Sequence, residues 1–282
     1  MAGQQRWLNG LDRYYRCDVE NLCHHHRRLG QIFARAGNDW LDGGAGLADV
    51  AFFANVSQNI TIDLQATEWV FGDGKWIKSG FGEKNWAQAW IDTNRNNQRD
   101  ANDEYDYLRN IEDLTGFFGD DVLSGDYKVN YLRGGQGNDR LDGRGNADVL
   151  TGGSGADKFV LTLDAGLRAA DVIVDFRDSG QDKIEIGLTS TQITTINAAS
   201  DNAAKLTALK NASNIGWTSN SNVTTNLSSN NASENDTAIY YLGADGVLGG
   251  TGSNADELVM VLEDYDTALV FSAFTLIATD GV

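Results

Sequence analysis

Residues 134–161 read GGQGNDRLDGRGNADVLTGGSGADKFVL, a stretch that returns to a glycine, an acid and a bulky apolar residue every nine positions. That period fits neither the 3.6 residues of a helical turn nor the two-residue alternation of a strand. Carried backwards in register, it gives five units without a gap over 116–160: GFFGDDVLS, GDYKVNYLR, GGQGNDRLD, GRGNADVLT and GGSGADKFV. The first position is always glycine (Gly116, Gly125, Gly134, Gly143, Gly152), and the sixth is Asp121, Asn130, Asp139, Asp148 and Asp157. The eighth is Leu123, Leu132, Leu141, Leu150 and Phe159. Three registered columns over 45 residues mark a solenoid, in which each unit buries its apolar side only against the next.

Within a unit, the glycine-rich first six residues accept the positive φ angles of a tight turn and let carbonyls point inward, while the last three form a short strand. Two units make one coil, so turns alternate between two edges. Asp121, Asp139 and Asp157 fall on one edge, and Asn130 and Asp148 on the other. Carboxylates stacked about 4.8 Å apart repel one another unless a cation lies between them. Together with the carbonyls of turns containing Gly116, Gly134, Gly137, Gly143, Gly152 and Gly155, they form the hard oxygen cage that suits calcium better than magnesium. The expected ions lie between Asp121 and Asp139, between Asp139 and Asp157, and more weakly between Asn130 and Asp148, where Asn130 brings only a neutral oxygen.

The units resemble the RTX, or hemolysin-type calcium-binding, repeat GGxGxDxUx; GGQGNDRLD and GGSGADKFV match it in full, and GDYKVNYLR is degenerate. An abbreviated copy with Asp39 as its acid opens at Gly37, in GNDWLDGGAGLADVAFF, where one extra residue displaces Asp49. The stretch from GGSGADKFVL to ADVIVDFRDSGQDKIEIGL is similar to the C-terminal region of serralysin-type RTX exoproteins. The resemblance covers about residues 37–190 well and 237–277 loosely. It implies a parallel β-roll, folding driven by calcium, and export by a type I secretion machinery through an uncleaved C-terminal signal. That route suits residues 1–30, which lack the apolar core and cleavage site of an N-terminal secretory signal.

Composition agrees. The 282 residues carry a net charge of −18, which disfavours nucleic acid and anionic membrane as partners and favours multivalent cations. No apolar run reaches the roughly 18 residues of a membrane span. There are 32 glycines and no proline, and only Cys17 and Cys23, so no disulfide framework is available. Residues 1–36 stand apart: six basic against three acidic residues give a local +3, and the other 16 basic and 37 acidic residues give −21. CDVENLCHHH in this leader has zinc-type ligands, but adjacent histidines cannot converge on one ion and no second pair follows at zinc-finger spacing.

The expected fold is all-β: the leader 1–36, an abbreviated repeat and β-rich insert over 37–114, the roll at 115–161, and a C-terminal β region over 162–282 that closes as a sandwich. Residues 189–236 read as a loop with a short helix near 200–212. A second calcium candidate, DTNRNNQRDANDE, sets Asp92, Asn94, Asn96, the Gln98 carbonyl, Asp100 and Asp103 at the ligand positions of an EF-hand-like loop. Neither HExxH nor GxSxG occurs, and the three histidines cluster at 24–26, so no catalytic constellation is evident. The leading reading is a secreted calcium-binding protein with a structural or cell-surface role. The alternatives are the calcium-binding portion of a larger RTX protease, lipase or epimerase, and a glycan-binding surface built on the tryptophans of the insert, such as Trp76 and Trp86.

Overall fold

The computed structural model describes residues 14–16, 22–24, 31–34, 39–44, 48–53, 58–65, 70–72, 75–77, 87–93, 103–161, 170–177, 181–221, 236–242, 257–262, 265 and 269–280. Cys17, His25, His26, Trp69, Trp86 and the loop residues Asn94, Asn96, Gln98 and Asp100 lie outside these, as do the side chains of Cys23, His24 and Trp76.

Each nine-residue unit contributes one strand, and successive strands alternate between two ten-stranded sheets. In the repeat block the first sheet holds Asp113–Phe118, Tyr131–Gln136 and Val149–Ser154, paired in parallel. The second holds Val122–Ser124, Arg140–Asp142 and Lys158–Leu161, also parallel. Register follows the sequence period, because Leu132 pairs with Leu114 and Leu150, and Leu141 with Leu123 and Phe159. The eighth-position side chains all point between the sheets, and none of the five is more than 1% exposed. Burying each is worth roughly 1.5–3 kcal/mol, and a strand of three residues has little else to hold it.

The same two sheets continue on both sides of the block. Toward the N-terminus Gln31–Phe33 and Val50–Phe52 extend the first sheet, and Trp40–Asp42 extends the second. The insert joins the second of these sheets, where Ala87–Asp92 pairs antiparallel with both Asn59–Asp63 and Glu104–Arg109 between Trp40–Asp42 and Val122–Ser124, and its Val70–Gly72 and Lys75–Ile77 form a separate two-stranded antiparallel sheet. Toward the C-terminus Asp171–Ile173 and Glu257–Leu262 prolong the first sheet, and Lys183–Leu188 and Phe274–Ala278 the second. Sandwich and roll therefore share one interior.

Two helices lie beyond the repeats. Asn202–Ser213 starts at Asp201, whose side chain accepts from the Ala204 N–H, and occupies the place expected for a short helix. Ser190–Asn197 falls where a loop is expected; Thr189 and Gln192 form a capping box at its start. Its Ile193 and Ile196, with Leu206 and Leu209 of the other helix, pack on the shared core.

Candidate metal centre

At each passage from the first sheet to the second, three residues make the bend. Asp121, Asp139 and Asp157 lie in these bends, each about 1% exposed. Their spacing is fixed by one hydrogen bond per coil: the Asp121 N–H donates to Asp139 Oδ1 (2.8 Å) and the Asp139 N–H to Asp157 Oδ1 (2.9 Å). The ladder runs past the repeats, since the Ile60 N–H donates to Asp121 Oδ1 and the Asp157 N–H to Asp182 Oδ1. On the return edge the Asn130 N–H donates to Asp148 Oδ1 (2.8 Å) and the Asp148 N–H to Asp171 Oδ1 (3.0 Å).

The ladder uses one oxygen of each carboxylate. The other, Oδ2, is buried without a hydrogen-bond partner at Asp121, Asp139 and Asp148. These oxygens lie over the first glycine of their own unit. A Cβ on Gly116, Gly134, Gly143 or Gly152 would stand 2.1–2.4 Å from Oδ2 of Asp121, Asp139, Asp148 or Asp157. The invariant first glycine is thus the space in which the sixth-position carboxylate folds back on its turn. On the first edge the backbone closes further: Gly137 and Gly155 hold φ of 134° and 144°, and a Cβ there would lie within 1.8 Å of the Gly119 and Gly137 carbonyl oxygens. Only glycine fits that approach.

Burial is the main reason these acids resist ionisation, and neighbouring acids add to it. Asp121 is raised to about 8, with Asp139 and Asp120 beside it. Asp139 is raised to about 7, with Asp157 and Asp120 contributing, and Asp157 to about 6, with Asp182 and Asp175 contributing. Asp148 is raised by burial and by the charge of Asp171, and Asp171 by burial with the charge of Asp142 adding, although hydrogen bonds from Asp148 oppose the shift at Asp171. A buried, unpartnered anion is costly unless a cation compensates it. Orphaned carboxylate oxygens stacked one coil apart beside turn carbonyls therefore fit a hard divalent cation, with calcium the better match because it accepts irregular oxygen shells. Among the described residues, no three acidic, histidine or cysteine side chains converge on one point. Such a site must draw much of its shell from the backbone.

The other candidates are placed differently. Asp39 lies before Trp40–Asp42, where its N–H donates to Asp106 Oδ1 (2.8 Å) and its carbonyl accepts from Tyr107. Asp92 ends a strand and Asp103 precedes the antiparallel partner, so 93–103 joins a hairpin rather than two helices. Asp103 Oδ1 accepts from the Thr93 N–H and hydroxyl, and its Oδ2 from Trp90 Nε1 (2.8 Å). The intervening ligand candidates are among those outside the described residues. Asp171 and Asp182, absent from the sequence reading, extend the two edges at offsets of 23 and 25 residues rather than 18. Their signal was the acid opening each strand, in ADVIVDF and QDKIEIGL.

Comparison with known proteins agrees with this geometry. The family model of the RTX calcium-binding nonapeptide repeat matches four copies, over residues 31–46 and 124–159. No curated protein matches the chain. The matched segments include Asp39, Asn130, Asp139, Asp148 and Asp157 together with the buried Oδ2 atoms of Asp139 and Asp148. Such repeats bind several calcium ions. The chain is a carrier of RTX calcium-binding repeats, and its all-β roll is the form those repeats take here.

Proposed function

We propose that this is a secreted protein whose roll folds on binding calcium outside the cell and then serves a structural or cell-surface role. The observation that carries this reading is the buried Oδ2 of Asp121 and Asp139, unpartnered and one coil apart on the first edge. Asp121, Asp139 and Asp157 hold the ions between successive bends, with the carbonyls of the glycine turns completing each shell; Asp182 closes the ladder. With a net charge of −18, the metal-free chain resists collapse, so ion binding and folding form one equilibrium. Each ion present at 100 times its Kd stabilises the native state by about 2.7 kcal/mol. Two such ions match the lower end of a whole domain's net stability, roughly 5 kcal/mol. Calcium is scarce inside cells and abundant outside, so the chain can cross a type I secretion channel unfolded and close afterwards.

The test is circular dichroism with isothermal titration over a calcium series from excess EGTA, with magnesium as control. Strand signal that appears with calcium and not with magnesium supports the reading. Full strand signal in EGTA overturns it.

A further inference from the structure

The second edge carries donors where the first carries glycines. At positions two and four of the unit 143–151 stand Arg144 and Asn146, with φ of 70° and 74°, so the backbone keeps the left-handed turn without glycine. Arg144 Nη1 donates to the Gly125 carbonyl (3.1 Å), and Asp63 holds the same guanidinium at 2.5 and 2.7 Å. Asn146 Nδ2 donates to the Tyr127 carbonyl. One unit earlier, Asn130 replaces the aspartate, and its Nδ2 donates to the Glu112 carbonyl (2.6 Å) while its Oδ1 accepts from the Asp126 N–H (2.8 Å).

The Gly125 and Tyr127 carbonyls and Asn130 Oδ1 are therefore met by N–H groups, and Asp148 Oδ2 is the oxygen of this seam that stays without a partner. Gly125 and Tyr127 supply carbonyls at positions one and three of their unit, and Asn130 supplies the sixth-position side chain. A divalent ion coordinated by the Gly125 carbonyl would sit beside the Arg144 guanidinium and be repelled by it. Replacing Asp by Asn also removes the charge that would draw the ion in, and it turns an acceptor into a donor.

We infer that no calcium ion binds between the bends 125–130 and 143–148: the Arg144 guanidinium and the Asn146 amide take the ion's place, the Asn130 amide is turned away to the Glu112 carbonyl of the preceding coil, and this seam of the roll closes without metal. This rests on the calcium reading of the first edge. It means that the two edges are not equivalent ladders. The second holds neighbouring coils in register by protein donors, and the carboxylate of Asp148 is left facing Asp171.

Ion counting on the full chain at saturating calcium, by native mass spectrometry with titration calorimetry, tests this. Asn130→Ala is expected to leave the count unchanged. The triple variant Asn130→Asp/Arg144→Gly/Asn146→Gly, which restores the acid and removes the two donors that cap the Gly125 and Tyr127 carbonyls, is expected to bind one more ion per chain. Loss of one ion in Asn130→Ala, or no gain in a triple variant that folds by circular dichroism, overturns the inference. Should the triple variant not fold, the Asn130→Ala count decides. Asp139→Ala serves as the reference: if that count does not fall, the calcium reading of the first edge fails, whatever the second edge does.

Discussion

Where the chain passes from the first sheet to the second in bends 134–139 and 152–157, Gly135, Gly137, Gly153 and Gly155 fill the second and fourth positions; in the return bend 143–148, Arg144 and Asn146 fill the same positions. All three of these bends keep a positive φ there, so they share a backbone path and differ in the side chains. Glycine lets the carbonyl of the preceding coil approach closely and, on the calcium reading, leaves the turn oxygens to a cation. Arginine and asparagine bring N–H groups that satisfy those carbonyls directly. A nine-residue repeat thus specifies geometry, and the residues at two positions decide whether metal or protein supplies the positive partner.

The largest expected effect comes from the shared ligand of the first edge. Asp139→Ala should remove two ions and raise the half-saturating calcium for folding by about tenfold or more, equivalent to at least about 1.4 kcal/mol, in a titration followed by circular dichroism. A shift matching that of Asp148→Ala would break the distinction between the edges.

Next comes the backbone. Gly155→Ala places a Cβ 1.7 Å from the Gly137 carbonyl oxygen at φ 144°. It should cost about 3 kcal/mol in denaturant unfolding at saturating calcium. Asn146→Gly at the matching place on the second edge loses one hydrogen bond but relieves a non-glycine residue of left-handed strain, for a net change within about 1 kcal/mol. Equal costs would mean that the edges close by the same means.

The pH response sharpens the same contrast. Asp121, Asp139 and Asp157, raised to about 8, 7 and 6, bind protons more tightly folded than unfolded, where a carboxyl titrates near 3.9. In EGTA their contribution to stability is fully present below about pH 4 and is lost as pH rises from there to about 8. Acidification from pH 8 to 5 should therefore promote folding without calcium, whereas with calcium the affinity should rise with pH as the ligands deprotonate. Circular dichroism across pH in both buffers reads both signs, and a metal-free chain indifferent to acid would contradict them.

The smallest effect belongs to Lys128, a half-exposed cation 3.0 Å from Glu112 Oε1. Lys128→Ala should cost less than about 1 kcal/mol in the same unfolding assay, with the ion count unchanged.

The repeat block was legible because its constraint is local and periodic. One turn needs glycine at position one, an acid at six and an apolar residue at eight, and the interior buries Leu123, Leu132, Leu141, Leu150 and Phe159 as that column requires. Asp171 and Asp182 were not legible, because intervening chain pushes them out of the 18-residue step even though their hydrogen bonds repeat it. Splicing of Ala87–Asp92 and Glu104–Arg109 into the second sheet is a long-range pairing that no local pattern encodes. The helix Ser190–Asn197 could have been found from its Thr-x-x-Gln capping box, but serine- and threonine-rich composition argued for a loop and outweighed that signal. The donors on the second edge were visible as letters. Their meaning depended on knowing that Gly125, Tyr127 and Glu112 turn their carbonyls toward them.

Anomalous scattering from crystals grown in calcium would locate the ions outright. Peaks are predicted between Asp121 and Asp139 and between Asp139 and Asp157, with none between Asn130 and Asp148. The same compact roll with no peak beside Asp139 would contradict a fold held by calcium.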